Sequence, residues 1–333
     1  MKQTITSVAR FLLENDNYVI GIHQNPDGDC FGSACGLAGT LKKLGKKACI
    51  LSPSTVPKRL HFLNYGNIDV YECLEGYEKI KDKIKTFITV DTASDHLLGE
   101  LADIFLNNNK FAIDHHEKNT ITADNIYLES TASAAGEIVY KIICELCEWT
   151  NEELFDEKIA SSIFGAISSD TGCFKYGNTS PDTHRIAAEL IEKSADSRDI
   201  NYRLFDLKSP VQIAVESLAY KNIEYFNEGK ISFIYLSTQM LEEIGANASD
   251  TETVSQLGRG IEGVEIAAFM RDKDEGSFKV SVRCNSEADV SVLCASFGLG
   301  GGHKKAAGCT IFADSAKTAK SMFLDKAKDY LTK

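Results

Sequence analysis

Four short segments of this chain set carboxylates and imidazoles directly behind apolar runs. His23-Gln24-Asn25-Pro26-Asp27-Gly28-Asp29 follows Val19–Ile22, and Asp91 follows Phe87–Val90. Asp114-His115-His116 follows Phe111–Ile113, and Ser168-Ser169-Asp170-Thr171-Gly172 follows Ile163–Ile167. Taken singly, each has a plain structural reading. An Asp behind a strand is a turn or cap residue, Asn25-Pro26-Asp27-Gly28 is a turn signal, and paired histidines occur on surfaces. Their recurrence changes the reading. Carboxylate oxygens and imidazole nitrogens together suit Mn²⁺ and similar divalent ions. Asp27, Asp29, Asp91 and Asp170 in one place would carry about −4, and without cations their mutual repulsion would drive their pKa values up. Two divalent ions would offset that charge, so the residues point to a two-metal site.

Placing these groups together requires the apolar runs to be neighbouring strands. Val19–Ile22, Ala48-Cys49-Ile50-Leu51, Phe87–Val90 and Phe111–Ile113 are short and bounded by polar turns, the pattern of strands buried on both faces. Helix-like segments between them, such as Ser33–Leu44, predict a parallel sheet. Right-handed crossovers then gather every strand C-terminus at one end, where ligands bind in open α/β folds. Helices are expected over 133–149, with Ser133 as N-cap, over 157–168, and from Ser180-Pro181 to about Lys193. Residues 199–226 carry no strand signal and read as a helical connector. Beyond 229, Ile231–Tyr235 is a strand, and Val264–Met270 and Ser277–Arg283 form a hairpin; a Gly-rich loop and a last helix near 315–331 follow. The fold class is α/β: a parallel-sheet domain over 1–198, a helical linker over 199–228, and a smaller mixed α+β domain over 229–333.

The composition agrees with that division. The chain has 333 residues, 36 Lys+Arg against 48 Asp+Glu and a net charge of −12, with 43% hydrophobic and 25% charged residues. This is a globular composition with room for two cores. No stretch approaches the ~20 apolar residues that cross a bilayer, and the opening segment lacks an apolar signal core. A cytoplasmic location without membrane partners is expected. An acidic chain is a poor match for long duplex nucleic acid, which demands broad phosphate neutralisation, yet it is compatible with a small anion in one positive pocket. Gly298-Leu299-Gly300-Gly301-Gly302-His303-Lys304-Lys305 offers bare backbone N–H groups and positive charge for such an anion, against an ordinary turn. Arg283 can take phosphate with two prongs. Arg259 is a candidate for the same wall, against plain surface. Tyr176, Asn178 and His184 follow Asp170 closely and are candidates to line a cleft, against packing roles. The ten cysteines contain one C-x-x-C, Cys144 and Cys147, inside a helical pattern, and read as buried thiols rather than a disulfide or zinc framework.

On these residues the sequence resembles the DHH phosphoesterases, whose defining motif is matched by Asp114-His115-His116. The opening motif, Asp91 and Ser169-Asp170-Thr171-Gly172 fall in family order. Ser281-Val282-Arg283 and Gly300-Gly301-Gly302-His303 look like the arginine and GGGH motifs of the associated DHHA1 domain. Length and motif set are most similar to the stand-alone group that acts as oligoribonuclease and as phosphatase of 3′-phosphoadenosine-5′-phosphate (PAP). Cys30 stands where that group often has a small residue.

The resemblance implies that His23 and Asp27 ligate one metal ion and Asp29, His115 and Asp170 another, with Asp91 bridging and Mn²⁺ as the expected ion. Asp114 would orient a neighbouring imidazole, and His116 would approach the scissile phosphate as acid or as hydrogen-bond donor. Arg283, Gly300, Gly301, Gly302 and His303 would grip the non-reacting part of the substrate. The implied activity is hydrolysis of short oligoribonucleotides to 5′-mononucleotides, and dephosphorylation of PAP, by a water activated between two metals. Linear or cyclic dinucleotides (pApA, cyclic di-AMP) are the alternative substrates. An inorganic pyrophosphatase and a non-catalytic nucleotide sensor are remoter readings, and a homodimer is an open expectation.

Overall fold

The computed structural model describes residues 3–251 and 253–331, and the His303 side chain lies outside the described residues. The chain divides into two compact units, the first ending at Leu207 and the second beginning at Lys208. The first contains α1 (Ile5–Glu14), β1 (Tyr18–Gly21), α2 (Gly28–Lys43), β2 (Ala48–Ser52), β3 (Val70–Glu72), α3 (Cys73–Glu78), β4 (Thr86–Val90), α4 (Ala102–Leu106), β5 (Asn109–Asp114), β6 (Ile126–Leu128), α5 (Ala135–Thr150), α6 (Glu157–Asp170), α7 (Pro181–Glu192) and α8 (Ser197–Asn201). Its strands form one parallel sheet in the order β3-β2-β1-β4-β5-β6. The winding reverses between β1 and β4, and the C-terminal ends of strands at such a reversal form the usual binding crevice.

The apolar runs of the four central strands bury alternate residues on opposite faces. Ile20, Ile50, Ile88, Phe111 and Ile113 join the core under α1, α2, α5 and α6. Val19, Leu51, Phe87 and Ala112 join a smaller core with Leu98, Leu101 and Phe105. The larger core depends on a glycine row along α2. A Cβ on Gly32 would stand 2.6 Å from the Ser162 carbonyl oxygen of α6, and one on Gly36 would stand 2.6 Å from Ile163. The two helices therefore touch backbone to backbone, which brings the N-terminus of α2 beside the C-terminus of α6.

The second unit contains α9 (Pro210–Lys221), β7 (Ile223–Phe226), β8 (Ile231–Leu236), α10 (Thr238–Glu242), α11 (Val254–Arg259), β9 (Ile266–Asp272), β10 (Ser277–Cys284), α12 (Val290–Ala295), β11 (Leu299–His303), β12 (Ala306–Phe312) and α13 (Ala316–Ala327). Its sheet runs β11-β12-β10-β9-β8-β7 and is antiparallel except between β8 and β9. Leu293 and Phe323 cover one face, and Val215, Ala219 and Val254 cover the other.

Four local expectations change. Strands β3 and β6 were not signalled; each is a three-residue edge strand. Residues 223–226 form edge strand β7, not helix, pairing with Ile231–Ile234. The Gly-rich segment is edge strand β11 rather than a loop, and a Cβ on Gly300 would lie 2.3 Å from the Cys294 carbonyl oxygen. Ser133 does not cap α5: the N-cap is Ala134, without a side-chain bond, and Ser133 Oγ donates to Glu137 at 2.6 Å. All ten cysteines are free. No helix among the described residues is long and apolar enough to cross a membrane.

The helix contact yields a test of sign. Helix propensity alone would make Gly32→Ala stabilising by about 1 kcal/mol, whereas forcing a methyl against the Ser162 carbonyl costs about 1–3 kcal/mol. Chemical denaturation should show net destabilisation for Gly32→Ala. Gly177→Ala, with nothing within 4 Å of its added Cβ, should stay within about 0.5 kcal/mol of the parent. A Gly32→Ala protein as stable as the parent would contradict the close approach.

Candidate metal centre

Each side chain of the cluster is delivered by an element end. His23 stands two residues beyond β1, and Asp27 is the N-cap of α2, its Oδ1 accepting from Cys30 N at 3.0 Å. Asp29 lies in the first turn of α2. Asp91 follows β4 directly and adopts φ +54°, a left-handed conformation that an L residue with a Cβ rarely takes. Asp114 closes β5, with His115 and His116 next. Asp170 is the last residue of α6. The glycine row of α2 is therefore what sets Asp29 close to Asp170.

These side chains converge. His23 Nε2 is 3.9 Å from both Asp27 Oδ1 and Asp91 Oδ2. His115 Nε2 is 3.7 Å from Asp29 Oδ2, 3.5 Å from Asp91 Oδ1 and 3.8 Å from Asp170 Oδ2. His116 Nδ1 is 3.6 Å from Asp91 Oδ1 and bonds Asp114 Oδ1 at 2.8 Å. Asp91 thus faces imidazoles with both oxygens. The outward nitrogens are fixed: His23 Nδ1 meets the Gln24 carbonyl at 2.9 Å, and His115 Nδ1 meets the Ala132 carbonyl at 3.2 Å. A carbonyl only accepts, so each Nδ1 carries its hydrogen and the Nε2 atoms are left for the cluster.

The centre fits a divalent cation. Asp91 is 2% exposed, and its Oδ1 is buried with no hydrogen-bond partner. Such an atom is costly unless a cation meets it. The separations are too long for hydrogen bonds, while two ligand atoms about 2.1 Å from one ion stand about 3–4 Å apart. Among the described residues, three groups have ligand atoms within 4.8 Å of one another: Asp29, His115 and Asp170; Asp91, His115 and His116; and His23, Cys30 and Asp91. Cys30 is the weak member. Its thiol contacts the Val90 carbonyl at 3.7 Å, and burial plus the neighbouring carboxylates push its pKa well up, so it stays protonated.

Without a cation, protons balance the charge. Burial, reinforced by Asp91, raises Asp29 well above the carboxylate range. Burial likewise raises Asp170 to about 7, against the pull of His115. Burial works against the charged form of His115, but Asp91, Asp29 and Asp170 outweigh it and lift the imidazole to about 11. Burial also works against ionised Asp91, but His115, His23 and His116 hold it down at about 2.

The structure adds roles that the sequence does not assign to Asp29 and Asn178, and one residue, Asn119, that it does not single out. Asp29 accepts from Ala135 N at 2.7 Å, Gly136 N at 3.0 Å and Ser33 Oγ at 2.9 Å, so it caps α5 in place of Ser133. Asn119 Nδ2 donates to Asp114 Oδ2 at 2.5 Å and thereby holds the carboxylate that holds His116. Asn178 Nδ2 bridges the Ser133 carbonyl at 2.9 Å and the Asp170 carbonyl at 3.2 Å. Short polar residues after a motif look like turn residues, and only the fold shows what they hold.

In the second unit, Arg283 lies on β10 and Gly300, Gly301 and Gly302 on β11, with Arg283 and His303 both in register with Ala306. The proposed role of the His303 side chain falls outside the described residues. Arg259 Nε donates to Asn285 Oδ1 at 3.0 Å. Lys304 and Lys305 both pair with Glu287, at 2.9 and 3.6 Å, so their charge is partly neutralised.

The Asp–His centre sits at the switch point of a doubly wound sheet. Residues 17–167 match the N-terminal domain of the DHH family and residues 230–333 match the DHHA1 domain, and a chain carrying both is a hydrolase that acts on phosphoester bonds. It is 28% identical over 316 residues to the bifunctional oligoribonuclease and PAP phosphatase NrnA of Thermus thermophilus, covering 94% of this chain and 90% of that protein. The fold is similar to that of an exopolyphosphatase-related protein from Bacteroides fragilis, with TM-score 0.89 and 23% identity, covering 98% of this chain and 96% of the other. It is also similar to exonuclease RecJ bound to manganese, with TM-score 0.58 and 15% identity, covering 99% and 94%.

The pKa shifts have a definite sign. Asp170 rises from 3.8 to about 7 in the metal-free fold, and His115 from 6.5 to about 11. Both groups bind protons more tightly folded than unfolded, so their contribution to stability is lost as pH rises, between about 4 and 7 for Asp170 and between about 6.5 and 11 for His115. A cation must displace those protons. The increase in melting temperature on adding Mn²⁺ should therefore be larger at pH 8.5 than at pH 5.5, and absent at both in Asp91→Ala. An equal shift at both pH values would contradict the proton-for-cation exchange.

Proposed function

We propose that this chain hydrolyses short oligoribonucleotides to 5′-mononucleotides and removes the 3′-phosphate of PAP. One observation carries the reading: a buried Asp91 carboxylate, left-handed in backbone, faces His23 with one oxygen and His115 with the other, and its Oδ1 has no hydrogen-bond partner. The relative named for both activities spans nearly the whole chain and supports the substrate assignment. Two divalent ions, Mn²⁺ by analogy with the manganese-bound RecJ structure, would be held by His23, Asp27 and Asp91 and by Asp29, Asp91, His115 and Asp170. When bound, such ions supply Lewis-acid polarisation and neutralise charge on phosphoryl oxygens.

The remaining work belongs to the chain's own groups. Asn119 fixes Asp114, and Asp114 accepts from His116 Nδ1, which orients the ring with Nε2 toward the opposite side. Asp114 and Asp91 raise the His116 pKa against the opposing effect of burial. A proton held at Nε2 then serves the leaving oxygen or a phosphoryl oxygen. Arg283 and the β11 glycines take the non-reacting phosphate, with Arg259 adding positive charge.

The deciding assay sets purified protein with Mn²⁺ against RNA dimers to pentamers, PAP and pyrophosphate. Release of mononucleotides from the short RNAs and of phosphate from PAP is expected, abolished by chelator and undetectable in Asp91→Ala. Asp114→Asn should lose about 10–100-fold through misorientation of His116. Preferential cleavage of pyrophosphate, or full activity in Asp91→Ala, would overturn the assignment.

A further inference from the structure

The segment after Asp170 does not leave the centre. Gly172, Cys173 and Phe174 take φ of +56°, +59° and +61°, three left-handed residues in succession, two of them carrying a Cβ. Surrounding bonds hold them there. Cys173 N donates to the Ser168 carbonyl at 2.8 Å and Phe174 N to Thr171 Oγ1 at 3.1 Å. The Phe174 ring packs on Phe164 and stacks on His184 with centroids 5.5 Å apart, which gives His184 a structural role. The reversal folds the chain back: Tyr176 N meets the Thr171 carbonyl at 3.0 Å, and Asn178 meets the backbone of Asp170 itself.

Tyr176 is thereby seated on Gly172. A Cβ on Gly172 would stand 2.3 Å from Tyr176 Cζ and 2.5 Å from both Cε atoms. Near-equality of the three distances places a ring face, not an edge, on the bare glycine. The tyrosine is 36% exposed, so solvent reaches part of its ring. An aromatic face rigidly backed by main chain, within a few residues of a carboxylate of the centre, matches what a nucleobase requires, since every base offers a π-face whatever its hydrogen-bonding edge.

We infer that Tyr176 is a stacking platform for a nucleobase of the substrate, a specificity-determining residue that favours nucleotides over other phosphoesters. This rests on the nucleotide reading above. The test compares Tyr176→Ala and Tyr176→Phe on a linear diribonucleotide and on the same diester with abasic sugars. The measured quantity is the ratio of kcat/KM for the base-bearing to the abasic substrate. Tyr176→Ala should reduce that ratio about 10–100-fold, chiefly through KM, the range that base–aromatic stacking supplies, and Tyr176→Phe should retain it. A ratio unchanged in Tyr176→Ala, or an equal loss on both substrates, would assign the ring to structure and overturn the platform. Failure of the parent protein to cleave any nucleotide would instead overturn the nucleotide reading, and the platform with it.

Discussion

Close approach of α2 and α6 is the constraint on which the centre depends. Glycines at 32 and 36 remove the side chains that would hold the helices apart, and Gly28 lies against Ser169 in the same way. Helices usually pack 8–10 Å apart according to the side chains between them. A bulkier row on α2 would widen the gap and carry Asp29, at one helix's start, away from Asp170, at the other's end. Ligand atoms tolerate displacements of only a few tenths of an ångström around an ion. Helix packing and ligand geometry are therefore one requirement.

The buried carboxylates of the centre are unequally supported. Asp29 receives two N–H groups from the start of α5 and a hydroxyl from Ser33, and a helix N-terminus favours negative charge. Its burial serves the fold as well as the site. Asp91 has imidazoles at 3.5–3.9 Å and one orphaned oxygen, so its burial is offset by positive charge around it and not by hydrogen bonds. Asp114, the most deeply buried, is in none of the candidate ligand groups and is held by Asn119 and His116. Three carboxylates in one crevice thus do three jobs, set by what else bonds them.

Much of this was legible in the sequence, for a physical reason. Strands buried on both faces must be apolar throughout, so β1, β2, β4 and β5 stood out, and the charged groups at their ends stood out against them. The edge strands β3 and β6 lack a fully buried pattern, and β7 resembles the helical stretch before it. The capping of α5 was misread because its acceptor, Asp29, is 106 residues from Ala135 in sequence; a serine beside a helix start is the local answer, and here the distant one wins. Asn119 and Asn178 were not recognised as positioning groups because amides in loops have many uses. The glycines of β11 were read as a loop because contact with the Cys294 carbonyl, which demands Gly300, is invisible without the fold.

Backbone strain gathers beside the ligands. Asp91 still donates its N–H to the Ile113 carbonyl at 2.9 Å, continuing the β4–β5 pairing. Its left-handed φ, however, takes the side chain out of the alternation that sends Ile88 and Val90 to one core and Phe87 to the other. Extended backbone would aim this carboxylate at a sheet face; the left-handed turn aims it over the strand end, between imidazoles. Cys173 and Phe174, on the far side of Asp170, bend the chain by the same means. Such conformations cost of order 1–3 kcal/mol each and persist where surroundings over-determine them. The enclosing bonds from Ile113, Ser168 and Thr171 supply that determination, so the fold itself fixes where these side chains point.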